Sequence, residues 1–104
     1  MDQELNLNAW ILIGNLLNAV LRGPQQVALA DGPLRDHLAL LDATLAAVDQ
    51  QGMIDALRGL SAGDRRLLRD LCVACFDRLR EEAPTLLGLD RLTAEPVLAL
   101  LQAQ

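Results

Sequence analysis

The hydrophobic positions of this chain change their spacing from segment to segment, and those changes mark its elements. From Leu5 to Leu21 the sequence reads LNLNAWILIGNLLNAVL. Wound as a helix at about 100° per residue, Glu4, Asn8, Asn15, Asn18 and Arg22 fall in one strip roughly 80° wide. Leu5, Leu7, Trp10, Leu12, Ile13, Leu16, Leu17, Val20 and Leu21 cover most of the remaining circumference. A helix so nearly apolar all round needs neighbours on at least two sides. They can be other helices of the same chain, a second copy of this helix, or a different protein. The stretch is too short and too rich in Asn for a membrane span, which needs about 20 mostly apolar residues. Asp2 and Glu4 precede it, where a secretory signal carries positive charge.

This helix is expected to start near Asp2 or Gln3 and to end at Gly23-Pro24, a common stop signal. PQQVALA can form a short helix before Asp31-Gly32-Pro33 breaks the chain again, with Asp31 as a cap for the next helix. That second long helix is expected from about Pro33 to Gln51. Its core seam is Leu34, Leu38, Leu41, Leu45 and Val48, alternating by four and three. Ala39, Ala43 and Ala46 form a small-residue face that lets another helix come close. Met53 to Leu60 reads as a short helical piece after Gly52. Ser61 opens the third long helix, with Asp64 completing a capping box, and Pro84 is expected to stop it near Glu82. Its core face is Leu67, Leu68, Leu71, Cys72, Cys75 and Leu79, with Phe76 at the margin. Arg66 with Asp70 and Arg78 with Glu82 are spaced as outer-face ion pairs. Thr85 to Leu92 reads as a loop whose Leu86, Leu87 and Leu89 pack down. Thr93 is expected to cap a last helix with Val97, Leu98, Leu100 and Leu101 on its apolar side.

Composition strengthens this picture. Of 104 residues 25 are Leu, and the only aromatics are Trp10 and Phe76. So much Leu and Ala with so few β-branched and aromatic residues points to a single all-α domain over 1–104, a small helical bundle of three long and two or three short helices. A chain this small has limited interior for its 52% hydrophobic content, so part of that surface is expected in an interface and the chain is read as a homodimer. The net charge of −5 argues against nucleic acid and anionic membranes. All nine basic residues are Arg, which removes lysine chemistry, and the Arg, Ala and Leu bias suggests a GC-rich bacterial genome.

Candidate chemistry is sparse. Cys72 and Cys75 have the spacing of a redox or metal motif but lie inside a helix on its core face, where they read as buried apolar thiols. A redox pair wants a helix N-terminus, and His37 alone cannot complete a zinc set. Asp36 adjoins His37 in sequence but points about 100° away from it in a helix, so no orienting pair forms. Arg65, Arg66 and Arg69 cluster at the start of the third helix, as a solvated face or a contact for an acidic partner. Asn8, Asn15 and Asn18 are expected either in solvent or as hydrogen bonds across an interface, where one Asn can fix register. No glycine-rich phosphate loop, no paired carboxylates in a hydrophobic setting and no metal cluster occur.

The expectation is therefore not an enzyme, with no cofactor, metal or small-molecule substrate. A small cytoplasmic protein-interaction module is expected, in the leading version a bacterial regulator that sequesters or masks a partner, such as an anti-activator of a transcription factor. The alternative is a dedicated chaperone or assembly subunit, for example of a secretion system, that holds an apolar helix of its client. Trp10, Ile13 and Leu17, with Asn15 and Asn18, are the expected partner or dimer interface.

Overall fold

The computed structural model of the chain describes residues 2–22 and 32–102. The short helix expected over 24–30, the Gly23-Pro24 stop and the Asp31 cap lie outside them. The described residues form helices joined by short turns, with no strand: α1 (Asp2–Arg22), α2 (Gly32–Ala46), α3 (Met53–Arg58), α4 (Ala62–Leu79), α5 (Ala83–Leu87) and α6 (Arg91–Gln102), with 3₁₀ turns at Gln50–Gly52 and Arg80–Glu82. The all-α expectation holds. Among the described residues four helices exceed ten residues rather than three, and two are short.

α1 is the central element and packs against every other helix. Ala9, Leu12, Ile13, Leu16, Leu17, Ala19 and Val20 are buried. They span half of its circumference, and the one buried cluster of the fold forms on them. Leu38, Leu41 and Leu45 of α2 meet this helix, as the seam predicts. Leu34, at the start of that seam, stays 36% exposed. α1 is the one extensive neighbour of α2 among the described residues. Polar ties reinforce the contact: Arg22 pairs with Asp42 at 2.8 Å, and Arg35 donates to the carbonyls of Val20 and Leu21, which satisfies the C-terminal carbonyls of α1.

Several boundaries differ from the sequence reading. α2 ends at Ala46, five residues before Gln51. The Asp49 carboxylate accepts from the Gly52 N–H at 2.8 Å, so Asp49 opens a new turn instead of continuing the old one. Ser61 caps α4 as expected, accepting from Asp64 N. The helix then stops at Leu79, where Arg80 takes φ +50°. Pro84 does not terminate α4; it sits in the first turn of α5, where a missing N–H costs nothing. The expected loop over 85–92 is thus partly helix, although Leu87 and Leu89 do pack into the core. Asp90, not Thr93, caps α6: its carboxylate accepts from Thr93 N at 2.7 Å. That bond holds the Asp90 carboxyl below its usual range. Phe76 is buried rather than marginal, beside Cys72 and Cys75. The expected Arg66–Asp70 and Arg78–Glu82 pairs are not made among the described residues. Asp70 meets Arg69 instead, and Asp77 reaches Arg91 on α6.

Candidate protein-docking groove

The outer face of α1 is where polarity and exposure part company. The exposed residues of this helix include Gln3, Leu7, Trp10, Gly14 and Asn18, spaced three and four apart. This stripe is rotated roughly 80° from the polar strip of the sequence. The rotation goes with the bonding of Asn15, and a second asparagine, Asn6, ties the other side of the helix. Asn15 Nδ2 donates to the Leu87 carbonyl at 3.0 Å, and Asn6 Oδ1 accepts from the Ile54 N–H at 3.1 Å. Both side chains thus satisfy backbone groups at the ends of short helices packed on α1. Turning Asn15 inward carries Leu7 and Trp10 outward, where they are 37% and 45% exposed.

The site residues expected from sequence therefore separate. Ile13 and Leu17 are 0% and 1% exposed. They were expected between protomers; the fold uses them instead in the core of one chain, because they fall on the side of α1 that faces α2 and α3. Asn15 was expected at an interface and instead bonds within the chain. Trp10 and Asn18 remain at the surface.

Around Trp10 the surface is concave. A cavity of about 370 Å³ lies over Gly14, lined by Trp10, Ile11 and Asn15 of α1, by Asp42, Leu45 and Ala46 of α2, and by Met53, with Ile13 and Leu17 beneath. Gly14 makes it possible: a Cβ built there meets nothing within 4 Å. A second hollow of about 350 Å³ continues along α1 over Gln3, Glu4, Asn6 and Leu7, against Gln50 and Gln51. From Gln3 to Leu17 the lined length is about 21 Å at 1.5 Å per residue, the length of a four-turn helix. The floor is apolar. The charged residues lining the two hollows are Glu4 and Asp42, with Asp49 beside Gln50. Arg22 at the far end already pairs with Asp42. Gly14 was not singled out by sequence: an isolated Gly inside a helix is a weak signal, and only the α2 wall gives it meaning.

The opposite edge of α1 is filled. Gly88, at φ +82°, ends α5 directly against it, and a Cβ there would lie 2.7 Å from Ile11 Cγ2 and 2.9 Å from Asn15 Nδ2. This position requires glycine.

The other candidate residues serve the fold. The Cys72 thiol is fully buried, and burial, aided by Cys75, pushes it up to about 12. Cys75 is also raised, chiefly by burial. Neither presents a thiolate near neutral pH. His37 Nε2 lies 2.7 Å from Asp64 Oδ1 at the surface and links α2 to the first turn of α4; Asp36 takes no part. Arg65 Nη1 donates to the carbonyls of Arg58 and Leu60 at 3.0 and 2.6 Å and closes the end of α3. No group of three or more His, Cys, Asp or Glu stands together among the described residues, and no helix there is long and apolar enough to cross a membrane.

No protein-family model, curated protein or solved structure matches the chain.

Proposed function

We propose that this chain is a protein-binding module that lays an apolar helix of a partner along α1, between Trp10 and the end of α2. The observation that carries the reading is the exposed Leu7–Trp10–Gly14 stripe above a groove with an apolar floor. About 100 Å² of Trp10 is open to water, and covering it is worth roughly 2–3 kcal/mol. Trp at the centre of a concave patch is the usual anchor of such an interface, and the helix-in-groove mode needs only apolar side chains at helical spacing.

The groove selects for charge as well. Glu4 and Asp42 line it, Asp42 paired with Arg22, and the chain carries −5 overall. A second copy would bring like charges to that rim, whereas a helix with basic flanks complements it. We therefore favour a hetero-complex over the homodimer expected from the sequence. Covering an apolar helix is what a sequestering regulator does to its target, and we adopt that version. A chaperone that holds the same kind of helix for later assembly is the alternative. It differs in that its client must leave, so a short residence time favours it.

A photo-crosslinking residue at position 14 in the native cell tests the proposal, with position 92 on the exposed start of α6 as control. Support is one dominant adduct from position 14, mapped to a basic amphipathic segment of another protein. An adduct with a second copy, or equal labelling from both positions, contradicts it.

A further inference from the structure

The hollow over Gly14 differs in lining from the rest of the groove. Trp10, Gly14 and Ala46 are its exposed residues. Ile13, Leu17, Leu45 and Met53 are buried and only close its base. An occupant therefore meets one indole ring, a stretch of bare helix backbone and one methyl group. Two polar residues on the rim are already engaged, Asn15 with the Leu87 carbonyl at 3.0 Å and Asp42 with Arg22 at 2.8 Å. The hollow over Leu7 is of another kind, lined by the amides of Gln3, Asn6, Gln50 and Gln51.

Gly14 on α1 and Ala46 on α2 make the room. Neither carries a side chain beyond Cβ, and a Cβ added at Gly14 meets nothing within 4 Å. The volume of about 370 Å³ is at the lower end of the roughly 300–1,000 Å³ of ligand pockets. That is space for one large side chain, while the helix that presents it stays above. The exposed half of Trp10 decides what kind. An aromatic ring beside an indole gains an offset or edge-to-face contact beyond the area it buries, which an aliphatic side chain of equal size does not. Anchors that fill such pockets are enriched in aromatic residues, and leucine is under-represented among them.

We infer that the hollow over Gly14 is an anchor pocket for one aromatic side chain, phenylalanine in the simplest case, carried by the docked helix. The inference rests on the docking reading for the source of that ring.

Titration by NMR tests it with a probe that has neither charge nor helix, N-acetylphenylalanine methylamide. The comparison is the cyclohexylalanine analogue, of similar size and without a ring quadrupole. The resonances followed are the Gly14 amide and the Trp10 Nε1–H. The expected result is a saturable shift of both with the phenylalanine probe, and binding about threefold or more weaker for the analogue. G14L should fill the hollow and abolish the shift. W10L keeps an apolar rim and removes the indole, so it should bring the two probes to equal affinity. The inference is overturned by a shift that never saturates, by equal binding of the analogue to the unmodified chain, by a G14L titration identical to the unmodified one, or by an aromatic preference that survives in W10L. Failure of the probe overturns the pocket whatever is crosslinked from position 14. Failure of the crosslink alone overturns the docking reading and leaves the pocket.

Discussion

Two glycines on opposite edges of α1 should respond to the same substitution with opposite sign. Gly14 lies mid-helix, and its Cβ position is open. Gly14→Ala should therefore gain the intrinsic helix preference of Ala, about 0.5–1 kcal/mol. For a domain of this size that is roughly 2–8 °C in Tm. Gly88 is the reverse case. Its φ of +82° strains any L side chain, and an added Cβ meets Ile11 Cγ2 at 2.7 Å and Asn15 Nδ2 at 2.9 Å. The left-handed conformation costs about 1–2 kcal/mol and overpacking about 1–3. Displacing Asn15 from the Leu87 carbonyl also removes one hydrogen bond, about 1 kcal/mol. Because relief of one term relieves the others, the expected loss is about 2–5 kcal/mol rather than their full sum. Urea melts of both variants at low protein concentration read the difference. A Gly14→Ala variant destabilised by more than about 0.5 kcal/mol would show that something already covers the groove. A Gly88→Ala loss under about 0.5 kcal/mol would refute the close seating of α5 on α1.

Other substitutions separate core from surface. Ile13→Arg places a charge at a position 0% exposed and should prevent folding, whereas Trp10→Arg should fold; circular dichroism of the two decides, and a folded Ile13→Arg chain would overturn the core assignment. Leu57→Ala should cost about 2–5 kcal/mol, while Leu40→Gln, at a site 68% exposed, should change stability by under about 0.5 kcal/mol; a loss above about 1 kcal/mol at Leu40 in urea melts would mean that the outer face of α2 is covered. Cys72 ionises near 9.0 when unfolded but is pushed up to about 12 in the fold, so the folded state keeps a proton that the unfolded chain loses. That contribution is complete below pH 9.0 and is lost as pH rises toward 12, by at most about 4 kcal/mol. Urea midpoints should fall between about pH 8 and about pH 11, and less so in Cys72→Ala; an equal fall in both would remove Cys72 as the cause.

The fold was legible where a pattern is local. The nearly all-round apolar character of residues 5–21 announced a central helix, the Leu38–Leu41–Leu45 spacing announced its partner, and Ser61 marked the start of α4. What stayed hidden depends on distant backbone. Asn15 bonds a carbonyl 72 positions away and Asn6 an N–H 48 positions away. No periodicity displays such partners, and the Asn15 bond goes with a turn of α1 in which Trp10 faces out while Ile13 and Leu17 face in. Proline was ambiguous for a different reason: Pro84 can stop one helix or start the next, and the early stop at Arg80 decided it. Asp49 and Asp90 compete with longer helices by capping shorter ones, which a sequence reading of Gly and Pro punctuation passes over. The groove was the least legible feature, because Gly14 becomes a floor only once α2 stands beside it.

Trp10 is the only tryptophan of the chain and lies on the groove itself, so its fluorescence reports occupancy of the groove without a label. A basic amphipathic peptide of about 16 residues, long enough to fill the groove at 1.5 Å per residue, is titrated against the unmodified chain and against Gly14→Arg. The matching probes are a scrambled peptide of the same composition and an acidic-flanked peptide with the same apolar face. Arg at position 14 fills the open space and repels the basic flanks while leaving Trp10 and the core in place. A saturable blue shift of Trp10 is expected with the basic peptide alone, weakened at least about tenfold by Gly14→Arg. A shift of equal size in Gly14→Arg, or one that the scrambled peptide reproduces, would contradict it.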